Sequence, residues 1–313
     1  MDSSRKVVFV TGAMGFLGTH LCDSLVKDGH TVVALQRDWT IRYGPHAAQH
    51  VVHGDVCDRA VLERAFAEYS PDAVIHLAAQ AQVSAASADP TSAFQSNLMG
   101  TLAVLEASRL KKIKRVIVAS TDKVYGESPQ AYTEDSPLAE RNPYGASKVC
   151  ADVMAQTYQK HYGMSVAVTR CGNLYGPGHF NWSTLIPGTL RRFQKRESAK
   201  LRFGGRAVRD FLHVNDAVRA YTDLLQSSVT GAFNFSGGSP CSILLITEVL
   251  AEYWGGAPKI DVTEEGNGEI FAQALDCVKA ADLLGWRPNV KLSKGLEMVT
   301  CWYKNYFKEN PCV

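Results

Sequence analysis

Two short polar clusters carry the residue types from which an active site could be built. The first, Ser-Thr-Asp-Lys at residues 120–123, follows the apolar run 116–118, which is typical of a buried parallel strand. Ligands of open α/β sheets bind beyond the carboxyl ends of the strands, so a hydroxyl, a carboxyl and an amine are expected in a cleft. The second cluster pairs Tyr144 with Lys148, whose i, i+4 spacing predicts one shared helix face.

The spacing of Tyr144 and Lys148 predicts acid–base chemistry. An ammonium about 4 Å from a phenol contributes roughly 4 kcal/mol at an effective dielectric constant of about 20. This corresponds to about three pKa units, enough to bring a phenol from about 10 towards neutrality. We therefore expect Tyr144 to serve as a general base, although the bare pattern also describes an ordinary pair on a helix surface.

The composition is that of an ordinary globular protein and excludes several classes of partner. The chain has 313 residues and a net charge of +2, which predicts neither a nucleic-acid nor a membrane partner. The N-terminus runs into a predicted strand without a signal-peptide pattern, so we expect a cytoplasmic protein. Eight cysteines lack metal-ligand spacing, which predicts reduced thiols and no metal.

A glycine-rich turn follows the first predicted strand at residues 6–11. Gly12, Gly15 and Gly18 precede a helical pattern, the context in which backbone N–H groups approach a pyrophosphate. A plain strand-to-helix turn is the alternative. The residues that we expect to contact a dinucleotide are Gly12, Gly15, Phe16, Leu17, Gly18, Arg37, Asp55, Val56, Leu77, Ala78, Ala79, Tyr144 and Lys148.

The second predicted strand, at residues 31–35, carries the signal for cofactor choice. Gln36 takes the place of the acid that usually holds the adenosine ribose of NAD, and Arg37 could pair with a 2′-phosphate. These two residues favour NADP, while Asp38 keeps NAD open. Asp55 follows the third strand, where an acid can accept a hydrogen bond from the adenine amino group.

Strands alternate with helices up to Arg170, which predicts a Rossmann-type, doubly wound parallel sheet of the α/β class. From Cys171 onward the pattern changes to Gly, Pro and aromatic residues. We therefore predict a dinucleotide-binding domain over residues 1–170, rejoined by about 212–237, and a smaller, mainly substrate-binding α/β domain over 171–313. A helix is predicted over 92–106 with Asn97 facing inward, as a buried amide or as a bridge to the active-site strand.

Seven motifs together resemble the extended short-chain dehydrogenase/reductase family that acts on nucleotide sugars. They are Gly12-x-x-Gly15-x-x-Gly18, Gly54-Asp55-Val56, His76-Leu77-Ala78-Ala79, Asn97-x-x-Gly100-Thr101, Tyr144-x-x-x-Lys148, Asn173-x-Tyr175-Gly176-Pro177 and Arg209-Asp210-Phe211. The resemblance covers nearly the whole chain. It implies a tightly bound NAD(P) cofactor and a nucleotide sugar in the cleft between the two domains.

Within that family, Asp122 and Lys123 resemble the acid–base pair of the 4,6-dehydratases, in particular those acting on CDP-glucose. The resemblance implies a lyase that oxidises C4 of an NDP-hexose, eliminates water and returns hydride to C6, giving an NDP-4-keto-6-deoxyhexose. Tyr144, with Lys148 and Thr121, would oxidise C4, and Asp122 would protonate the departing hydroxyl. Lys123 would be the base at C5, or would instead stabilise the enolate, pair with Asp122 or contact the substrate.

The resemblance also assigns substrate contacts and a subunit contact. Asn173 and Arg209 would bind the sugar diphosphate, with Gln82, Ser84 and Thr121 against the sugar. The predicted helices over 97–110 and 147–159 would pair in a homodimer through a four-helix contact. Three other functions stay open: a nucleotide-sugar 4-epimerase, an oxidoreductase that exchanges its cofactor, and a non-catalytic nucleotide-sugar-binding protein.

Overall fold

The structure is a computed structural model that describes residues 5–37, 47–128, 130–264 and 271–311. Asp38, which bears on the choice of cofactor, and Cys312 lie outside these ranges. The strands are β1 (Val7–Thr11), β2 (Thr31–Gln36), β3 (His50–His53), β4 (Ala73–His76), β5 (Arg115–Ala119), β6 (Val166–Cys171), β7 (Asn173–Tyr175), β8 (Ala199–Leu201), β9 (Val208–Arg209), β10 (Phe211–His213), β11 (Gly231–Phe235), β12 (Cys241–Ser242) and β13 (Ile260–Val262).

Helices follow most of these strands. The α-helices are α1 (Phe16–Lys27), α2 (Arg59–Tyr69), α3 (Val83–Ala88), α4 (Pro90–Phe94), α5 (Gly100–Leu110), α6 (Pro143–Tyr162), α7 (Leu185–Gln194), α8 (Val214–Gln226), α9 (Ile243–Trp254), α10 (Val278–Leu284) and α11 (Leu292–Glu309). A π-helical turn, Gln95–Met99, joins α4 to α5, and short 3₁₀ turns span Asp122–Val124 and Phe203–Gly205.

The central sheet has seven parallel strands in the order β11-β6-β5-β4-β1-β2-β3. Its inner strands are rich in Val and Ile and buried on both faces, because helices cover each side. The strand order reverses between β1 and β4, which opens a crevice at their carboxyl ends. The predicted Rossmann-type α/β fold is confirmed.

A third core lies beyond the sheet, formed mainly by α7, α9 and α11. Tyr303, Phe307 and Leu250 are fully buried there. Three two-stranded ribbons, β10-β7, β12-β9 and β13-β8, lie in this C-terminal part of the chain. The arrangement places a second wall opposite the carboxyl edge of the central sheet.

The helix predicted over residues 92–106 contains an irregularity that its apolar spacing does not reveal. The π-helical turn at Gln95–Met99 interrupts the α-helical hydrogen-bonding pattern and carries Asn97, which is fully buried. The Asn97 Nδ2 donates to Ser147 Oγ (2.8 Å) and its Oδ1 accepts from the Gln80 N–H (2.7 Å). The amide therefore bridges the loop after β4 to helix α6.

Candidate active site

A large cavity of about 1540 Å³ runs along the carboxyl edge of the sheet and under the C-terminal part of the chain. Every residue that the sequence assigned to catalysis, cofactor or substrate lines this cavity. They are Gly12, Gly15, Phe16, Leu17, Gly18, Arg37, Asp55, Val56, Leu77, Ala78, Ala79, Gln82, Ser84, Thr121, Asp122, Lys123, Tyr144, Lys148, Asn173 and Arg209. The topology has brought together residues that are far apart in sequence.

The glycine-rich turn is shaped by close backbone approaches. A Cβ on Gly12 would lie 2.6 Å from the Ala78 nitrogen, and the residue has a φ of +68°. A Cβ on Gly18 would lie 2.2 Å from the Gly12 oxygen. At Gly15 the one close neighbour among the described residues is the Gly12 oxygen, at 3.1 Å, and its remaining side faces the cavity. A side chain there would fill the space at the N-terminus of α1, where a pyrophosphate fits.

The residues at the ends of β2 and β3 form one end of the cavity. Gln36 is buried, and Arg37 lies close enough to Cys57 to influence the pKa of its thiol. Asp55 accepts a hydrogen bond from the Cys57 N–H (2.8 Å) and is exposed at the rim. Arg37 and Asp55 thus supply a cation and an anion where the sequence predicted the adenosine.

His76 is held inside the protein by two threonines. Its Nδ1 lies 2.7 Å from Thr11 Oγ1 and its Nε2 lies 3.0 Å from Thr101 Oγ1. Burial lowers the pKa of the ring to about 3, so the ring is neutral. Thr11 Oγ1 also accepts from the Ala78 N–H (3.2 Å). The ring thus anchors the small-residue loop that lines the cavity.

Tyr144 and Lys148 lie on α6, as the spacing predicted, but the electrostatics differ from the prediction. Burial raises the pKa of the Tyr144 phenol to about 12; its hydrogen bond with Thr121 opposes this and the charge of Asp122 adds to it. Lys148 Nζ donates to the Ala119 carbonyl (2.6 Å), and burial lowers the pKa of its amine to about 8. The phenol pKa near neutrality that the sequence predicted is therefore wrong here, because burial has the largest effect on the phenol and raises its pKa.

The carboxyl group of Asp122 and the amine of Lys123 are in direct contact at the start of the 3₁₀ turn after β5. Lys123 Nζ lies 3.0 Å from both carboxylate oxygens of Asp122, whose side chain is 3% exposed. Thr121 Oγ1 donates to Asp122 Oδ1 (3.1 Å). The Thr121 hydroxyl therefore contacts Asp122 directly and lies close enough to Tyr144 to lower the pKa of the phenol.

Two further side chains contact the Lys123 amine. Gln273 Oε1 accepts a hydrogen bond from Lys123 Nζ at 2.6 Å, and Asn173 Oδ1 accepts at 3.4 Å. Gln273 was not predicted from the sequence; it is 1% exposed and lies 150 residues from Lys123 along the chain. The one available signal was a glutamine two residues before Leu275, on the buried side of an extended segment.

Four basic side chains from the C-terminal part of the chain line the cavity. They are Arg192, Lys200, Arg202 and Arg209, and the acidic side chain of Asp261 lines it as well. Arg209 Nη1 donates to the Val208 carbonyl (2.9 Å) and to the Phe271 carbonyl (3.3 Å). Ser120 lines the same cavity, and its Oγ is buried without a hydrogen-bond partner among the described residues.

The described residues lack the features required for metal sites, disulfides and membrane-spanning helices. No group of three or more His, Cys, Asp or Glu side chains is placed to hold a metal ion. The seven cysteines described by the structure are free thiols. Within the described ranges, no helix has both the length and the apolar character needed to cross a membrane.

The Rossmann-type fold and the cavity at the carboxyl edge of its sheet are those of a dinucleotide-binding α/β protein. Comparison with known sequences gives its family. The model of the NAD dependent epimerase/dehydratase family matches residues 8–235, and the chain belongs to this family. The dTDP-glucose 4,6-dehydratase of Actinoplanes sp. is 32% identical over 314 residues, which cover 95% of this chain and 97% of that relative. The dTDP-glucose 4,6-dehydratase 1 of Escherichia coli is 28% identical, with 95% and 92% covered.

Solved structures with the same fold include two kinds of enzyme. The UDP-glucose 4-epimerase of Thermotoga maritima, solved with UDP-glucose, has a TM-score of 0.89 and 26% identity, covering 96% of this chain and 99% of that one. The dTDP-glucose 4,6-dehydratase of Streptomyces venezuelae, solved with NAD, has a TM-score of 0.88 and 28% identity, covering 97% and 98%. The fold is common to both activities, so the residues in the cavity must discriminate between them.

Proposed function

We propose that this protein is a nucleotide-sugar 4,6-dehydratase. The observation that carries the proposal is the Asp122–Lys123 pair, which lies in the same cavity as Thr121, Tyr144 and Lys148. An epimerase needs only the groups that move hydride and the O4 proton. A dehydratase also needs an acid for the 6-hydroxyl and a base for C5, and this pair supplies one of each.

The glycine cradle fits a nicotinamide dinucleotide. Gly12, Gly15 and Gly18 would hold its pyrophosphate at the N-terminus of α1, with Leu77 to Ala79 and Lys148 along the nicotinamide half. When bound, the cofactor accepts and returns hydride and brings a positive charge into the cavity. Gln36 and Arg37 favour NADP, while the Streptomyces venezuelae dehydratase structure holds NAD. Liquid chromatography of cofactor extracted from the purified protein tests that preference.

The oxidation half of the reaction falls to Tyr144 and its neighbours. The phenolate would take the proton of the 4-hydroxyl, and the Lys148 ammonium would stabilise it. Thr121 bridges Tyr144 and Asp122, so the proton has a path from the phenol through the hydroxyl to the carboxylate. This path would convert Asp122 into a carboxylic acid and restore the phenolate.

The elimination half falls to Asp122 and Lys123. Lys123, as a neutral amine, would take the C5 proton made acidic by the 4-keto group. As the C6–O bond breaks, Asp122 would give its proton to the departing hydroxyl. Water would leave, and a C5=C6 double bond would remain in the sugar. As hydride reaches C6, Lys123 returns its proton to C5. Every protein group ends in the protonation state in which it began.

Substrate binding would join the two parts of the chain. Arg209 and Asn173 would hold the diphosphate, since Arg offers a planar fork to phosphate oxygens, and Gln82 and Ser84 would contact the sugar. Arg192, Lys200 and Arg202, which also line the cavity, suit the negative charge of a nucleoside diphosphate. Residues 1–170, rejoined by about 212–237, would then bind the dinucleotide, and the rest of 171–313 mainly the nucleotide sugar.

A panel of nucleotide sugars tests the function. The pure protein is incubated with CDP-, dTDP-, UDP- and GDP-glucose, and the products are weighed by mass spectrometry. The named relatives act on dTDP-glucose, whereas Asp122-Lys123 resembles the CDP-glucose enzymes, so these two donors are the first to test. A product lighter by one water supports the proposal, and an unchanged mass with altered sugar configuration supports a 4-epimerase.

We also propose a homodimer and a cytoplasmic location. Helices α5 and α6 pack against each other and leave Leu110, Val153 and Tyr162 half-exposed on the outside. Four such helices from two subunits would cover these apolar side chains. The location stays a prediction from the sequence.

A further inference from the structure

We propose that Gln273 is a positioning residue that orients the Lys123 amine for the C5 proton transfer. The inference rests on the proposed dehydratase function and deepens it. Gln273 belongs to the extended segment after β13 and is almost fully buried. Its side-chain oxygen makes the shortest contact that the structure gives the Lys123 amine, at 2.6 Å.

The contact between Gln273 and Lys123 is held in place by hydrogen bonds of the Gln273 backbone and of its side-chain amide. On the Gln273 side, the backbone N–H donates to the Val208 carbonyl (3.1 Å). Its Nε2 lies 3.5 Å from the carbonyl of Asp122, so the amide spans the 3₁₀ turn that carries the acid and the base. Because the amide is buried and both its oxygen and its nitrogen have partners, its side chain is already held in one conformation when Lys123 reacts. Gln273 therefore acts as a fixed support for that turn.

The chemistry of an amine explains why a second acceptor matters. A neutral amine has two N–H bonds and one lone pair around its nitrogen. Asp122 and Gln273 provide two acceptors for the two N–H bonds, and Asn173 is more distant at 3.4 Å. With both hydrogens directed, the lone pair has one remaining direction. Without Gln273, the amine can rotate about its last bond while it still contacts Asp122.

Gln273 also differs in kind from the other Lys123 partners. Asp122 is charged and takes part in the proposed elimination, so its state changes during the reaction. The Gln273 amide does not titrate, so it orients the amine equally in its charged and neutral forms. We therefore expect its effect on the elimination half, since the hydrogen bonds that the structure gives Gln273 are to Lys123, Asp122 and Val208 and not to Tyr144 or Lys148.

The test separates the two halves of the reaction in a Gln273→Met variant, which keeps the length of the side chain and removes the amide. CDP-glucose and dTDP-glucose report dehydration, and their 6-deoxy analogues, which have no leaving hydroxyl, report C4 oxidation through near-ultraviolet absorbance of the reduced cofactor. We expect kcat for dehydration and deuterium exchange at C5 to fall about 10²-fold, as for a misplacement of about 1 Å. KM and the oxidation signal should stay within about twofold of wild type.

Controls make each outcome decisive. Gln49→Leu removes a glutamine that hydrogen bonds Val32 outside the cavity and should leave both halves unchanged. Thermal unfolding checks that each variant is folded, and Gln273→Asn, which keeps an amide but shortens its reach, replaces a Met variant that fails to fold. Wild-type dehydration in the variant overturns the inference, as does equal loss of oxidation and dehydration. No dehydration by the wild-type protein would instead refute the proposed function itself.

Discussion

At the residue scale, the site is defined by the position of Thr121 between two acid–base systems. The Tyr144 phenol and the Asp122 carboxylate both contact its hydroxyl, so the two halves of the proposed reaction share one proton path. Burial disfavours the phenolate form of Tyr144, because it raises the pKa of the phenol to about 12. Positive charge in the cavity must therefore offset burial before the phenol can act as a base.

Substitutions of Tyr144 and Asp122 should have different effects. Tyr144→Phe removes the base for the 4-hydroxyl, so C4 oxidation and dehydration should both fall by about 10²–10⁴-fold. Asp122→Asn removes the acid and the end of the proton path but leaves Tyr144 in place, so a single C4 oxidation of a 6-deoxy analogue should survive while dehydration falls by a similar factor. Cofactor absorbance and product mass measure the two halves. Normal dehydration by Asp122→Asn would remove Asp122 from the reaction.

The alkaline limit of activity should belong to Lys148. Burial lowers the pKa of its amine to about 8, so the ammonium is present below that pH and is lost as the pH rises through it. The kcat/KM for dehydration should therefore fall above about pH 8. In Lys148→Arg, whose guanidinium stays charged, this fall should be absent up to about pH 10 even if the rate is lower. An unchanged alkaline limb in the variant would assign it to another group.

At the element scale, a buried ion pair connects α6 to the central sheet. Arg170 on β6 makes two hydrogen bonds of 2.9 Å to Asp152 on α6, and both side chains are at most 2% exposed. Arg170 Nη1 also donates to the Tyr125 hydroxyl (2.8 Å) and to the Glu134 carbonyl (2.9 Å). The pair thus fixes the helix that carries Tyr144 and Lys148 relative to the segment that follows β5.

Removing one partner of this pair should be costly. Arg170→Met leaves the Asp152 carboxylate buried without its cation, which should lower the free energy of unfolding by roughly 3–5 kcal/mol. Urea unfolding of the variant measures the loss. The double variant Arg170→Met/Asp152→Leu removes the orphaned charge and should recover much of it. A single variant as stable as wild type would show that the pair contributes no net stability.

The sequence predicted the elements better than the contacts between them. The strands and the glycine-rich turn are local patterns, and the structure contains them near the predicted positions. The π-helical turn around Asn97 was missed because its apolar spacing still resembles an ordinary helix. Gln273 was missed because its role depends on a contact across 150 residues, which no local pattern encodes. The pKa of Tyr144 depends on burial, which spacing alone does not give.

At the scale of the whole molecule, the site belongs to neither part of the chain alone. The sheet supplies Asp122, Lys123 and the glycine cradle, while Gln273 and Arg209 come from the C-terminal part. The surroundings of the acid–base pair are therefore complete only when both parts are folded together. This arrangement suits an enzyme that must keep a reactive keto sugar inside its cavity between two chemical steps.

The proposed dimer makes a testable prediction about the outer face of α6. Val153 is 50% exposed there, and Val153→Arg should place charge in the four-helix contact and give monomers in size-exclusion chromatography with light scattering. Val278→Arg, at a site 59% exposed on α10, is the matched control and should stay dimeric. A wild-type monomer, or a dimer that survives Val153→Arg, would contradict the proposed contact.

The most direct test of the central claim follows a label from one carbon to another. The donor identified by the nucleotide-sugar panel is prepared with deuterium at C4 and incubated with the pure protein, and the product is analysed by mass spectrometry and NMR. A 4,6-dehydratase should release one water and carry the deuterium at C6 of a 4-keto product. A product of unchanged mass with the deuterium still at C4 would contradict this account and identify a 4-epimerase.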